Sequence, residues 1–305
     1  MSFPFIALLL LAVGSLTHAV QIYEDVSQLP NFNWDFVVVG GGTAGNVVAN
    51  RLTENPDFSV LVLEGIVRVS FYVRSYLRHF QRNVGVTPSI VPALVWQLLP
   101  QTPYTWNYST TPQAGLNGRV IDYPRGHILG GSSSINAMFY TRGSRDDFDR
   151  FADFTGDSGW AWQQMLPYFF KNEKWTTPAD RHNTAGQYDP SVHSLIGINS
   201  VGLNGYAWPD SDARIIQTTK DLPDEFPFVL DMNAGVPLGV GWLQSTINYG
   251  ERSSSARSYL GPHYISRPNL HVLLHAKYRG FFKVLRIHCI LPPSSSLRIN
   301  LLYTM

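Results

Sequence analysis

Phe36-Val37-Val38-Val39-Gly40-Gly41-Gly42-Thr43-Ala44-Gly45-Asn46-Val47-Val48-Ala49-Asn50-Arg51-Leu52 decides the fold. The first four residues are a continuous, β-branched apolar run, the pattern of a strand buried on both faces of a parallel sheet. Three glycines follow at once. Asn46 to Leu52 then reads as a helix with Val47, Val48 and Leu52 available for packing. Val60-Leu61-Val62-Leu63 repeats the buried-strand pattern and ends at Glu64. The whole is a strand–turn–helix–strand unit of about 30 residues.

Each part of this unit suits a dinucleotide. Gly40 allows the tight turn out of the strand, Gly42 lets backbone approach a pyrophosphate, and Gly45 lets the helix pack near the sheet. The helix N-terminus offers unpaired amides and a partial positive charge to the phosphates. Glu64, about 20 residues past Gly45, would accept hydrogen bonds from the adenosine ribose. The unit fits both NAD and FAD; an acid at position 64 disfavours NADP, whose 2′-phosphate it would face.

Around this unit the 305 residues balance 23 basic against 22 acidic side chains, a net charge of +1 that gives no electrostatic case for nucleic acid. The hydrophobic fraction of 44% suffices for a packed core. One cysteine, Cys289, excludes an intramolecular disulfide framework and a cysteine-rich metal site. No apolar run reaches the roughly 18–20 residues of a membrane-spanning helix, so no membrane partner is expected. Phe3 to Val13 has about the length of a signal-peptide core. Thr17-His18-Ala19 fits cleavage after Ala19, so residues 1–19 read as a signal peptide of a secreted protein. Asn107-Tyr108-Ser109 is then a glycosylation sequon at Asn107.

Further along, Asp146 to Phe154, Trp160 to Trp175, Ser211 to Lys220 and Ser253 to Tyr259 read as helices, and Leu270 to Leu274 as a strand. Trp160, Trp162 and Trp175 read as helix-packing aromatics. His271 and His275 would share one strand face as a buried pair capped by backbone groups, with no carboxylate or cysteine to complete a metal site.

A second cluster, Pro124-Arg125-Gly126-His127-Ile128-Leu129-Gly130-Gly131-Ser132-Ser133-Ser134-Ile135-Asn136, decides between the nucleotides. It resembles the first signature of the glucose–methanol–choline (GMC) oxidoreductases, and most of all fungal aryl-alcohol oxidases. Ordered phrases extend the resemblance over Asp35 to Glu64 and about Tyr104 to His275. Among them are Thr111-Pro112-Gln113-Ala114-Gly115, Thr141-Arg142-Gly143-Ser144, Asp147-Phe148-Asp149 and Phe170-Lys171-Asn172-Glu173-Lys174-Trp175. Leu238-Gly239-Val240-Gly241-Trp242 and Arg252-Ser253-Ser254-Ser255-Ala256 follow in register.

The resemblance implies an α/β fold: a Rossmann-like FAD-binding domain, incomplete here, with part of an α+β substrate-binding domain. It places the first FAD-binding part at 34–160, the first substrate-binding part at 161–251, and a return to the FAD-binding domain at 252–277. It implies FAD as cofactor and oxidation of a primary alcohol. A base histidine takes the hydroxyl proton, hydride passes to flavin N5, and dioxygen becomes hydrogen peroxide. Gly40, Gly42, Gly45 and Glu64, with Thr43 and Ala44, would hold the ADP half. Arg125, Gly126, Leu129, Gly130, Gly131, Ser132, Asn136, Ala137 and Met138 would run along the phosphates and the isoalloxazine.

The departures from the pattern are specific. Ala137 stands where many aryl-alcohol oxidases carry a tyrosine that walls the substrate entrance, which leaves substrate choice open. Residues 66–86 form an atypical insert bearing Arg68, Arg74, Arg78 and Arg82 without an acid. It reads as translated intron sequence or as an added basic interaction segment, and its arginines as a solvated face. After Ala276 the likeness stops, and 278–305 reads as a non-family tail beginning at Tyr278. The resemblance therefore implies an N-terminal portion without the family's C-terminal histidine pair, so no catalytic residue and no metal ligand is assigned. His127, His182 and His193 read as surface or backbone-bonded. Such a portion exposes strand edges and is expected to be poorly soluble or FAD-free. The alternatives are a non-catalytic flavin-binding product, a hydroxynitrile-lyase-type member of the same family, and an NAD-dependent dehydrogenase, against which the second cluster argues. Oligomeric state is left open.

Overall fold

The computed structural model describes residues 21–31, 33–65, 86–206 and 209–276. The expected signal peptide, the arginines of the insert, and the tail with Tyr278 and Cys289 lie outside the described residues. The strands in chain order are β1 (Ile22–Tyr23), β2 (Phe36–Val39), β3 (Val60–Leu63), β4 (Thr105–Trp106), β5 (Arg125–Gly126) and β6 (Glu173–Trp175). They continue with β7 (Asn199–Leu203), β8 (Gln244–Ser245), β9 (Ile247–Asn248), β10 (Glu251–Arg252) and β11 (Leu270–Leu273). The helices are α1 (Gly45–Leu52), α2 (Thr87–Ile90), α3 (Arg145–Thr155), α4 (Trp162–Asn172), α5 (Pro209–Asp221), α6 (Ser255–Tyr259) and α7 (Pro262–Ile265).

The molecule is α/β. Its principal sheet runs β1-β11-β3-β2 with every pairing parallel. β3 sits between two neighbours, and all four of its residues are buried. On one face Val60, Val62, Leu270 and Val272 pack with Ala49 of α1, with Ile128, Leu129 and Ile135 of the second glycine stretch, and with Ala256 and Leu260 around α6. On the other, Leu61, Leu63 and Leu273 pack with Trp34. Each fully buried valine, leucine or isoleucine among them contributes roughly 1.5–3 kcal/mol by leaving water.

Two expectations about this unit are corrected. β2 lies at the edge of the sheet among the described residues, and its ends, Phe36 and Val39, are 37% and 54% exposed. Among the described residues β3 alone pairs with β2, so Val37 and Val38 are half-buried against the core while the strand's ends stay open. The buried positions of α1 are Asn46, Ala49 and Asn50, while Val48 faces out. Both asparagines are needed inside. Asn46 Nδ2 donates to Gly41 O (3.0 Å) and Ser255 Oγ (3.1 Å), and Asn50 Nδ2 donates to Tyr259 O (2.7 Å). These bonds satisfy the two buried Nδ2 donors, while among the described residues each Oδ1 stays buried without a partner.

A second sheet, β6-β7-β8, is mixed, with β6–β7 parallel and β7–β8 antiparallel. Ser144 caps α3 by accepting from the Asp147 amide, and Gly156 at φ 70° ends it. The apolar spacing read as one helix from Trp160 to Trp175 divides at Glu173, where α4 gives way to β6. The expected histidine pair is also corrected. β11 ends at Leu273, and His275 lies past it at φ 60°. His271 alone is buried, with Nε2 at 2.9 Å from Pro268 O and Nδ1 at 3.0 Å from the Tyr23 hydroxyl.

Candidate dinucleotide-binding site

The first glycine turn is closed from β3. The Gly40 amide donates to Leu63 O (2.7 Å), and Gly40 turns the chain at φ 98°. The Gly41 amide donates to Glu64 Oε2 (2.8 Å), so the buried carboxylate that ends β3 shapes the turn itself. Gly45 opens α1 against the same turn; a Cβ there would lie 2.0 Å from Gly40 O. Ala44 at the N-cap supplies no side-chain acceptor. Among the described residues nothing accepts from the amides of Gly42, Thr43 and Ala44, and Thr43 and Ala44 are exposed. These are the orphan donors of a helix N-terminus, accompanied by its partial positive charge.

The second turn arrives from β5, which pairs with β4. Gly130 and Gly131 have φ 89° and 55°, a left-handed backbone that side chains disfavour. The Gly130 amide donates to Gly41 O (2.7 Å), and the Ser133 amide to Thr43 Oγ1 (3.1 Å). A Cβ on Gly131 would meet Gly42 Cα at 2.8 Å, whereas one on Gly42 would make only ordinary contact with Gly131 Cα, at 3.9 Å. The demand for bare backbone at this junction thus falls on Gly131. Gly126 is equally confined, since its Cβ would lie 2.2 Å from the Gly131 carbonyl carbon. The two glycine turns meet backbone to backbone.

Beyond the turns, Leu129 is buried in the core, Ser132 Oγ accepts from the Gly126 amide (3.1 Å), and Asn136 and Ala137 are exposed. Met138 is buried at φ 65°. The Arg125 guanidinium lies 3.6 Å from the centre of the Tyr123 ring. Asn107 is exposed, and its Oδ1 accepts from Thr105 Oγ1 at 2.6 Å.

A third segment, read from the sequence only as a phrase of the resemblance and given no place in the site, joins the two turns. Ser255 Oγ reaches both Gly42 O (3.0 Å) and Gly130 O (3.3 Å), and its amide donates to Ser133 Oγ (2.9 Å). Arg252, buried entirely, directs Nη1 at Asn136 O (2.6 Å) and Asn136 Oδ1 (2.8 Å). The signal was present: a run of small hydroxyls leading into a short helix, behind an arginine.

The histidines divide. His127 is backbone-bonded as expected, through Nε2 to Gly65 O (2.9 Å). His182 is held by Asp180 Oδ1 (2.6 Å) and Gln187 Oε1 (2.9 Å). His193 corrects the expectation outright. Its side chain is 2% exposed, with Nδ1 2.6 Å from Glu173 Oε1 and Nε2 2.7 Å from Asp231 Oδ2. Trp162 packs on Phe148 and Phe169 as expected, and Trp160 meets Phe151 edge-on. Trp175, however, lies on β6, stacks on Tyr188 and meets the His193 ring at a tilt. No group of three or more His, Cys, Asp or Glu is placed to hold a metal among the described residues. None of their helices is long and apolar enough to cross a membrane. Two open clefts of about 380 Å³ and about 690 Å³, around His182 and around Arg51, are lined by residues outside both glycine turns.

A family profile described as GMC oxidoreductase matches residues 34–285. Pyranose dehydrogenase 3 of Leucoagaricus meleagris is 41% identical over 269 residues, 88% of this chain and 42% of that protein. Dehydrogenase eriK of Hericium erinaceus matches with the same identity and coverage. The chain spans about two fifths of the length of these curated relatives. Among solved structures, an FAD-dependent oxidoreductase from Chaetomium thermophilum is 34% identical at a TM-score of 0.64, covering 79% of this chain and 38% of that one. A fungal aryl-alcohol oxidase, 24% identical at a TM-score of 0.61 over 80% of this chain and 39% of its own, shares the fold.

Proposed function

Because the chain belongs to the GMC oxidoreductase family, whose cofactor is FAD, we propose that it holds FAD across its joined glycine turns and serves oxidation of a CH–OH group. The observation that carries this reading is the uncapped N-terminus of α1 set directly against the second turn. That donor set matches a dinucleotide. The amides of Gly42, Thr43 and Ala44 would hold the pyrophosphate, and Glu64 the adenosine ribose. Gly130, Gly131, Ser132, Asn136, Ala137 and Met138 would line the flavin side, with Arg125 and Gly126 leading into them and Leu129 packing beneath. Bound flavin supplies a two-electron acceptor for the carbon-bound hydrogen of an alcohol. The residues described here bind and orient; none of the described histidines is assigned as the base that takes the hydroxyl proton.

The substrate reading has two branches. The phrases quoted from the sequence favour an aromatic primary alcohol with dioxygen as acceptor. The three relatives at 41% identity are called dehydrogenases, two of them pyranose dehydrogenases, and favour a sugar with another acceptor. One measurement separates this reading from the expectation of a poorly soluble or FAD-free portion: if FAD is held, the purified chain incubated with FAD elutes from gel filtration as a soluble yellow protein. Elution as a colourless or aggregated species would overturn the reading. Turnover of benzyl alcohol with peroxide release, against turnover of glucose with a quinone acceptor, separates the branches. Secretion and glycosylation at Asn107 belong to the same proposal, supported by that residue's exposure. A mass shift on endoglycosidase treatment of protein from a fungal secretion host is the expected result.

A further inference from the structure

The strongest candidates outside the turns' own residues are the cleft around Arg51, the buried histidine network and the segment from Arg252 to Ser255. The last is carried furthest by its contacts. It reaches the turns from far along the chain, and its side chains bond to both. Ser255 Oγ lies within hydrogen-bond distance of Gly42 O and Gly130 O and accepts from Asn46 Nδ2 on α1, while the Ser255 amide donates to Ser133 Oγ. The neighbouring Ala256 bounds Gly130; a Cβ on that glycine would lie 3.1 Å from Ala256 Cβ. Arg252 Nη1 gathers Ser133 O (3.3 Å), Asn136 O (2.6 Å) and Asn136 Oδ1 (2.8 Å) at the end of the second turn.

We propose that Arg252 and Ser255 are positioning residues for FAD: Ser255 sets the spacing of the two glycine turns, and Arg252 holds Asn136 and the serine turn in register while placing a buried positive charge behind them. This rests on the FAD-binding reading above. Two turns that share few direct hydrogen bonds can slide, and a hydroxyl reaching both carbonyls removes that freedom before the ligand arrives. Preorganisation of this kind raises affinity by lowering the ordering cost of binding. Arg252 adds charge as well as shape. Burial pulls its guanidinium down to about 10, which leaves it protonated at neutral pH. A buried cation favours an anionic ligand more strongly than an exposed one.

The test uses the full chain and four forms: wild type, Ser255→Ala, Arg252→Met and Arg252→Lys. FAD affinity is read from flavin fluorescence quenching, the environment of the ring from visible circular dichroism, and loop order from amide hydrogen exchange in the apo-protein. Ser255→Ala is expected to weaken FAD binding about tenfold, the equivalent of one lost hydrogen bond, and to speed exchange at 42–45 and 130–134. Arg252→Met is expected to weaken it by about ten- to a hundredfold, with a changed dichroic band, and Arg252→Lys to recover part of the loss. Should Arg252→Met fail to fold, Ser255→Ala still decides, because it removes a single atom. Wild-type-like affinity and exchange in Ser255→Ala would overturn the inference while leaving FAD binding intact. Failure of the wild-type chain to bind FAD would overturn both.

Discussion

A methyl group at Gly45 would sit 2.0 Å from Gly40 O, and one at Gly131 would sit 2.8 Å from Gly42 Cα at a backbone φ of 55°. Neither neighbour is a flexible side chain, so the backbone must move. Gly45→Ala and Gly131→Ala are each expected to cost about 2–4 kcal/mol in chemical denaturation and to abolish retention of FAD. Gly115 is the control. Its Cβ would meet nothing within 4 Å, and Gly115→Ala is expected to stay within about 0.5 kcal/mol of wild type. Glu64 works at the same scale, since its Oε2 holds the Gly41 amide. Glu64→Gln keeps the shape and loses the charge, so FAD affinity is expected to fall about tenfold in fluorescence titration with the fold preserved.

Between elements, the main polar tie is buried and charged. His193 lies between Glu173 of β6 and Asp231, while Arg142 Nη2 reaches Glu173 Oε2 at 2.6 Å and Gln244 Nε2 reaches Asp231 Oδ2 at 3.0 Å. With carboxylates at both ring nitrogens, the imidazole donates twice and carries a proton. Burial pushes its pKa down, but hydrogen bonds to Asp231 and Glu173 outweigh that and hold it above the usual histidine value. Burial likewise pushes Glu173 and Asp231 up, and hydrogen bonding to His193 leaves both below their usual range. The sign follows from linkage. The histidine's contribution is complete below about pH 6.5 and is lost as pH rises through its raised folded value. The carboxylates' contribution is present above their ordinary range and is lost as pH falls through their lowered values. Melting temperature is expected to peak in mildly acidic buffer and decline on the alkaline side. His193→Gln should flatten that alkaline limb and cost about 3–5 kcal/mol, because two buried carboxylates then face each other without a proton between them. An unchanged alkaline limb in this variant would assign the decline to another group, such as His182, which Asp180 also holds above the usual value.

The whole molecule joins one parallel sheet to a mixed one through the segments that carry the turns. α6 touches α1, and β11 returns beside β3. Any ligand that bridges the turns therefore ties chain positions from 40 to 256. Saturation with FAD at 100 times its Kd is expected to add about 2.7 kcal/mol, a rise of roughly 4–5 °C in a thermal melt. A melt unmoved by FAD would count against binding in the folded state.

The strand–glycine–helix–strand unit was legible because its information is local. Apolar runs, bare glycines and a terminal acid lie within one short window, and periodicity together with the absence of a Cβ specifies what each can do. The second glycine cluster was legible for the same reason. The edge position of β2 and the inward-facing asparagines of α1 were not. Exposure depends on which segments arrive alongside, and those come from positions 255–273. His193 looked ordinary in sequence because Glu173 and Asp231, which surround it, are distant in the chain and meet only after β6 and β7 pair. Ser255 and Arg252 were legible only as part of a family phrase and not as contacts of the turns, since a hydroxyl or a guanidinium acquires its role from the carbonyls it reaches. Local pattern specified which backbone could turn and approach a ligand; tertiary packing alone decided which polar side chains hold the turns together, because hydrogen bonds act over about 3 Å regardless of separation along the chain.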